Sequence, residues 1–246
     1  MTILITGGTK GIGLAIAKAF STAGKHVFLN YFSDDDAARK ASDEIGRLGA
    51  VPHLIKANAG TPEGCRLIAS EVALAGFSLD QVVHCAVDAY ATKLLDADPR
   101  RFAEAVTTNS VSLLFLVQAV MDKLKRGSTI FFLTSRGGRI VVENYAAIGV
   151  GKAASEALIR YMATELAPKG IRINSIAPSI VETDAVRTLF GEKSASLVKH
   201  SAETNPSGRG VRDTDYTSLM KFLASPEAEF ITGQVIFVNG GANLSA

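Results

Sequence analysis

The chain has 246 residues, is 47% hydrophobic, and carries 26 basic against 24 acidic side chains for a formal net charge of +2. That length and composition suit one α/β domain, residues 1–246, with a sizeable core, and the mixed charge excludes a nucleic-acid stripe or a polybasic membrane anchor. Cys65 and Cys85 show neither metal-ligand spacing nor a disulfide framework, which fits a reducing compartment.

The first expected strand, Thr2–Thr6, follows Met1 directly, without the basic and apolar pattern of a signal peptide. The longest apolar stretch, near Val111–Met121, holds Ser112 and Gln118 and is too short to span a bilayer. A soluble cytoplasmic protein is the expectation. Next comes Thr6-Gly7-Gly8-Thr9-Lys10-Gly11-Ile12-Gly13, opening a helix over 11–23. Glycines after a strand permit a tight turn and close approach to a pyrophosphate, and the helix N-terminus offers free N–H groups. The spacing is Gly-x-x-x-Gly-x-Gly, and its place in a βαβ unit points to a dinucleotide.

The second strand, His26–Tyr31, runs into Phe32 and Ser33 with no carboxylate at its end, where NAD recognition would need one. Lys10 and Ser33 are placed to reach a 2′-phosphate. Asp34, Asp35 and Asp36 would repel it, or else cap and charge the first turn of a helix over 36–48. The second reading favours NADPH, with NADH not excluded. After the strand Val51–Lys56, Asn58 either meets an adenine or forms a turn. A helix over 61–76 begins at Thr61-Pro62-Glu63, and a strand follows at Gln81–Cys85.

Asp98-Pro99 starts a helix read as continuous over 100–125, in which Asn109 lies among Val, Leu and Phe and needs a partner. The strand Thr129–Thr134 leads to Ser135, and a helix over 144–167 carries Tyr145 and Lys152. After the strand Arg172–Ile176, residues 179–212 are polar and the least regular, a place for a substrate lid. A helix over 213–224 and a strand at Gln234–Val238 complete the series. The βαβα alternation implies a doubly wound, Rossmann-type parallel sheet of about seven strands. No His/Asp/Glu cluster argues for a metal, and no histidine stands in triad order for a hydrolase.

Together these residues resemble the short-chain dehydrogenase/reductase family over essentially the whole chain. The resemblance implies a cofactor loop at Thr6–Gly13, a helix asparagine carrying a proton-relay water at Asn109, an active-site serine at Ser135 and a catalytic lysine at Lys152. Pro178 to Thr183, including Val181, matches the family's segment over the nicotinamide, with Ser179 in place of glycine. Ile231-Thr-Gly-Gln-Val with Asn239-Gly240-Gly241 matches its last strand. Two departures stand out. His84-Cys85-Ala86-Val87 replaces the family's Asn-Asn-Ala-Gly, and Ile148 occupies the position of the usual tyrosine, four before the lysine.

Tyr145 instead precedes Lys152 by seven residues, and Tyr-x6-Lys is the family's spacing for enoyl-acyl-carrier-protein reductases. The run from Glu143 to Leu166 and Lys56-Ala-Asn58 are similar to the NADPH-dependent bacterial branch. On a helix, steps of four and seven return to nearly one face but rise about 6 and 10 Å, provided the helix reaches back to Tyr145. A displaced donor suits a 2-enoyl thioester, whose negative charge develops on the thioester oxygen, away from the carbon that takes the hydride.

The expectation is NADPH-dependent reduction of an enoyl thioester carried on acyl carrier protein or coenzyme A, with Tyr145, Lys152, Ser135 and Asn109 at the reacting end. Gly7, Thr9, Lys10, Gly11, Ile12, Gly13, Ser33, Asn58, Lys152, Val181 and Thr183 would hold the cofactor. The resemblance also implies a homotetramer built on 100–125 and 144–167. A ketoreductase that has recruited Tyr145, and a catalytically silent dinucleotide-binding protein, are the competing readings.

Overall fold

Apolar and β-branched runs supply seven strands among the described residues, 1–242, of the computed structural model: β1 (Thr2–Thr6), β2 (His26–Tyr31), β3 (Val51–Lys56), β4 (Leu79–His84), β5 (Leu124–Leu133), β6 (Arg172–Pro178) and β7 (Val235–Val238). Residues 243–246 of the expected domain lie outside the described residues. All pairings are parallel, in the order β3-β2-β1-β4-β5-β6-β7. From β1 the sheet grows toward β2 on one side and toward β4 on the other. The crevice at that reversal, beyond the C-terminal ends Thr6 and His84, is where a doubly wound sheet takes its ligand.

Nine α-helices are described: α1 (Gly11–Phe20), α2 (Asp35–Arg47), α3 (Pro62–Leu74), α4 (Pro99–Thr108), α5 (Ser112–Ala119), α6 (Ala146–Leu166), α7 (Asp184–Phe190), α8 (Lys193–Glu203) and α9 (Asp213–Leu223). Asp34, Thr61 and Asp98 cap α2, α3 and α4 by accepting from the N–H three residues on, so Asp34 takes the capping role and not one of free repulsion. One apolar cluster joins α3, α5 and α6 to the sheet through residues such as Cys65, Leu116 and Ile159. A second joins α1, α2 and α9 through Ile16, Ile45 and Met220. Each such aliphatic side chain, fully buried, contributes about 1.5–3 kcal/mol before chain entropy is counted.

Three expectations need correction. The helix read over 100–125 is two helices, ending at Thr108 and Ala119, and residues from Leu124 already belong to β5. The break has a local cause. Ser110 Oγ donates to the Val106 carbonyl, Ser112 Oγ donates to that of Thr108, and the Asn109 amide is drawn to the backbone of Asp88. The helix read over 144–167 starts at Ala146, so Tyr145 is its boundary residue and not one of its turns. The segment 179–212 is not irregular, since it holds α7 and α8.

α6 carries the segment that matters most, and its approach to α4 depends on Gly151. A Cβ there would lie 2.6 Å from Asn109 Cβ. Gly46 in α2 has nothing within 4 Å of the same position. Gly46→Ala is therefore expected to stabilise by about 0.5–1 kcal/mol through helix propensity. Gly151→Ala is expected to destabilise by about 1–3 kcal/mol through overpacking. Urea unfolding midpoints measure both, and equal shifts would show that α4 and α6 are not in close contact.

Candidate active site

The glycine loop lies between β1 and α1. Gly11 has φ +48, and a Cβ on Gly13 would stand 2.1 Å from the Gly7 carbonyl oxygen, so no larger residue fits there. Ile12 packs against the core, and Thr9 is buried. No side chain caps α1 and no acid occupies its first turn, which leaves its N-terminal N–H groups for an anionic ligand. A cavity of about 280 Å³ opens beside the loop, lined in part by Thr9, Lys10, Gly11, Thr183 and Asp184. The larger cavity, about 600 Å³, lies at the opposite end of the sheet around Lys125, Arg126 and Lys169, away from these residues.

Lys10 reaches two carboxylates across this cleft, Asp34 and, at 3.4 Å, Asp184. Hydrogen bonding to Asp34 is the main cause that raises its pKa, against some desolvation. Asp35 pairs with Lys56 at 2.7 Å, and Asp36 with Arg39. Each acid of the Asp34–Asp36 run therefore faces a base, and the cluster presents no uncompensated negative charge to a phosphate. Ser33 is exposed beside it. Asn58 Oδ1 accepts from Gly60 N at 2.9 Å, the turn reading of that residue. Thr183 caps α7 through Val186 N, and its methyl group would meet a Cβ on Gly11 at 2.9 Å. Val181 is half-buried against the core.

The second half of the site lies where β5 meets α6. Lys152 is 5% exposed, its Nζ donates to the Leu133 carbonyl at 2.7 Å, and it stands 4.4 Å from the centre of the Phe132 ring. Burial pushes its pKa down to about 8, with Cys85 opposing the shift. Cys85 is in turn pushed up to about 11 by burial, against the pull of Lys152. Ile148, one turn before Lys152, is 1% exposed.

Tyr145 enters from the turn before α6. Asn144 is left-handed at φ 58, and its carbonyl accepts from Thr92 N at 3.3 Å. The Tyr145 carbonyl then accepts from Gly149 N at 2.7 Å as the helix begins. Its ring lies against Gly137, where a Cβ would come within 2.5 Å of Cε1. Burial raises the pKa of its hydroxyl, and a hydrogen bond with Ser135 opposes that. Ser135 Oγ also accepts from Gly137 N at 3.2 Å. The fold thus sets the Tyr145 ring against Gly137, near Ser135, while Lys152 is held at Leu133 on the same strand exit, and the 10 Å helical offset does not apply because Tyr145 precedes the first turn.

Asn109 is beside this group but differently engaged. Its amide clamps the loop after β4, accepting from Asp88 N at 3.0 Å and donating to the Asp88 carbonyl at 2.9 Å, while its own carbonyl accepts from Ser155 Oγ. Arg101 holds the same Asp88 through two bonds of 2.5 and 2.6 Å.

His84 is buried and bridges Thr6 Oγ1 at 2.5 Å and Ser112 Oγ at 2.7 Å. Because Ser112 Oγ donates to the Thr108 carbonyl, it accepts from His84 Nε2. Nδ1 then accepts from Thr6, whose oxygen takes the N–H groups of Cys85 and Ala86. Burial drives the His84 pKa down to about 3, so it is neutral and structural.

Sequence reasoning missed Arg101, Glu156 and Arg139. Each is a charged residue whose partner lies at least 13 positions away, so no spacing announces it. Glu156, one turn after Lys152 in the otherwise largely apolar run from Ala146 to Ile159, was the available sign.

The family model described as Enoyl-(Acyl carrier protein) reductase matches residues 7–243. The chain is 28% identical over 243 residues to the 1-cyclohexenylcarbonyl-CoA reductase of Streptomyces collinus, covering 99% of this chain and 87% of the other. It is 31% identical over 240 residues to a 3-oxoacyl-[acyl-carrier-protein] reductase of Staphylococcus epidermidis, covering 97% of each. Among solved structures, a short chain dehydrogenase from Burkholderia cenocepacia in complex with NADP superposes with a TM-score of 0.87 at 26% identity, covering 98% of this chain and 97% of that one. The enoyl-[acyl-carrier-protein] reductase (NADH) of Aquifex aeolicus superposes with a TM-score of 0.84 at 28% identity, covering 100% and 97%.

The burial of Lys152 is open to direct measurement. In 13Cε-lysine NMR its side chain is expected to titrate near pH 8, whereas an unperturbed lysine titrates at about 10.4. Below that midpoint the ammonium is charged, so any step that uses its charge weakens on the alkaline side. A midpoint at the ordinary lysine value would show that the ammonium is solvated.

Proposed function

Since the chain belongs to the short-chain dehydrogenase/reductase family of oxidoreductases, we propose that it reduces the carbon–carbon double bond of a 2-enoyl thioester with NADPH. One observation carries this reading. The position four before Lys152 is a buried isoleucine, and the phenol beside Ser135 is Tyr145, seven before it. The enoyl-reducing names of the family model and of the Streptomyces relative support it.

NADPH, when bound, supplies the hydride that goes to the β-carbon. Tyr145 donates a hydrogen bond to the thioester oxygen as enolate charge develops there, and the α-carbon is then protonated. Lys152 holds the nicotinamide ribose hydroxyls and adds positive charge close to that oxygen. Ser135 orients the Tyr145 hydroxyl, and Thr183 with Val181 borders the nicotinamide. Asn109 contributes by fixing the Asp88 loop. The loop glycines and the N-terminus of α1 take the pyrophosphate, and Asn58 borders the adenine. Acyl carrier protein as the carrier, a homotetramer through α4–α6 and a cytoplasmic location belong to the same proposal. No helix among the described residues is long and apolar enough to cross a membrane.

The name of the Staphylococcus relative favours a second reading, reduction of a 3-oxoacyl thioester by the same Tyr145. NADPH oxidation followed with crotonyl and longer enoyl thioesters, and in parallel with acetoacetyl thioester, separates the two. Turnover of enoyl substrates is expected, with a loss of about a hundred-fold or more in Tyr145→Phe. Oxidation with the 3-oxoacyl substrate alone would sink the enoyl reading, and cofactor binding with no turnover of either would mark a silent protein. Light scattering on the same preparation is expected to give the mass of four chains.

The cofactor assignment has its own test at Asp34. Asparagine is an equally good N-cap, so Asp34→Asn keeps the start of α2 and releases Lys10 from one of its two carboxylates, leaving it more available to a 2′-phosphate. NADPH binding, read by fluorescence titration, is expected to tighten about three-fold while NADH binding hardly changes, since the exchanged ion pair is exposed. Equal effects on both would remove Lys10 as a phosphate ligand.

A further inference from the structure

Three consecutive residues at the exit of β5 engage three groups of the α6 segment. The Leu133 carbonyl accepts from Lys152 Nζ at 2.7 Å, Thr134 Oγ1 donates to Glu156 Oε1 at 2.9 Å, and Ser135 Oγ and the Tyr145 ring lie together against Gly137, close enough for Ser135 to lower the pKa of the Tyr145 hydroxyl. Lys152 and Glu156 are one turn apart on the same face of α6. The outer two contacts belong to the site already described, and the middle one has no part in it.

Glu156 is an unusual residue to find there. It is 5% exposed, and a carboxylate is retained in an interior only when donors compensate its lost hydration. Both oxygens are used. The second accepts from Arg139 Nε at 3.1 Å, and the Arg139 guanidinium lies 4.8 Å above the ring of Phe237 on β7. Lys152, four residues before Glu156, is left with the Leu133 carbonyl as its hydrogen-bond partner.

The turn between Thr134 and Arg139 is wedged in place. Gly137 lies against the Tyr145 ring, and a Cβ on Gly138 would meet Ala153 N at 3.2 Å. Glu156 therefore fastens this turn to α6 at both ends, through Thr134 before it and Arg139 after it. A shift of α6 along β5 would break the Glu156 contacts together with the Lys152 and Tyr145 contacts.

We propose that Thr134, Glu156 and Arg139 are positioning residues, which lock the height of α6 against β5 so that Ser135 meets Tyr145 beside Lys152. The inference rests on the reading of Ser135 and Tyr145 as a working pair. It does not depend on whether the substrate is an enoyl or a 3-oxoacyl thioester.

Thr134→Val keeps the shape and removes one hydroxyl, Arg139→Met removes the ion pair, and Arg139→Lys restores its charge. The full-length protein, labelled with 13Cζ-tyrosine, gives five signals, of which Tyr145 is the one missing in Tyr145→Phe. In Thr134→Val and Arg139→Met the Tyr145 hydroxyl is expected to titrate at higher pH than in the wild type, because Ser135, which favours its ionised form, moves away from it. Arg139→Lys is expected to bring the titration back. With whichever thioester is turned over, kcat is expected to fall about five-fold, the worth of one ordinary hydrogen bond, while NADPH affinity stays within about two-fold. A Tyr145 signal that titrates as in the wild type in both Thr134→Val and Arg139→Met overturns the proposal and leaves the network with stability alone. That readout is independent of any substrate, so it stands even if neither thioester is reduced.

Discussion

Lys152 is a cation held inside the protein, between the end of β5 and the face of α6, with one carbonyl and one aromatic ring as partners. A lysine in that position costs desolvation free energy, visible in a pKa pushed down to about 8. It is kept there by fixed surroundings. β5 supplies Leu133 at a set height, the missing side chain of Gly151 lets α4 come close, and Ser155 ties the next turn to the Asn109 carbonyl. Ile148 fills the preceding turn and is 1% exposed. An acid able to work beside this lysine then has to come from outside the helix.

Tyr145 comes from the turn that precedes it. The left-handed Asn144, tied to Thr92, turns the chain into α6, and Gly137 leaves room for the phenol ring next to Ser135. The displaced tyrosine is thus held at a helix cap, by contacts with two loops, and not by the periodicity of the helix itself. Those loops are fastened in turn. Asn109 and Arg101 hold Asp88 on one side, and Glu156 holds the 134–139 turn on the other.

At the cofactor end the decisive quantity is local charge balance. The run Asp34–Asp36 reads as repulsive to a phosphate when taken alone. In space each of its carboxylates meets a base, Lys10, Lys56 or Arg39. These pairs are exposed, so each is worth little and is readily exchanged for a stronger anion. His84 shows the same economy of polar groups in the interior. A histidine replaces the family's asparagine, and by staying neutral it links β1, β4 and α5 without a buried charge.

By itself the amino-acid sequence determined the strands, the glycine loop and the caps at Asp34, Thr61 and Asp98. All of these follow from patterns a few residues long: apolar runs, Gly and Pro at fixed offsets, a short polar side chain before a helix. It did not announce the break at Asn109, where a side chain leaves the helix for Asp88, or the start of α6 after Tyr145, which depends on Thr92. It also left unseen the Glu156–Arg139 pair and the neutral histidine. Only the tertiary structure decided these. Hydrogen bonds and ion pairs between residues far apart in the chain depend on which groups are brought into contact away from water, and no local spacing encodes that.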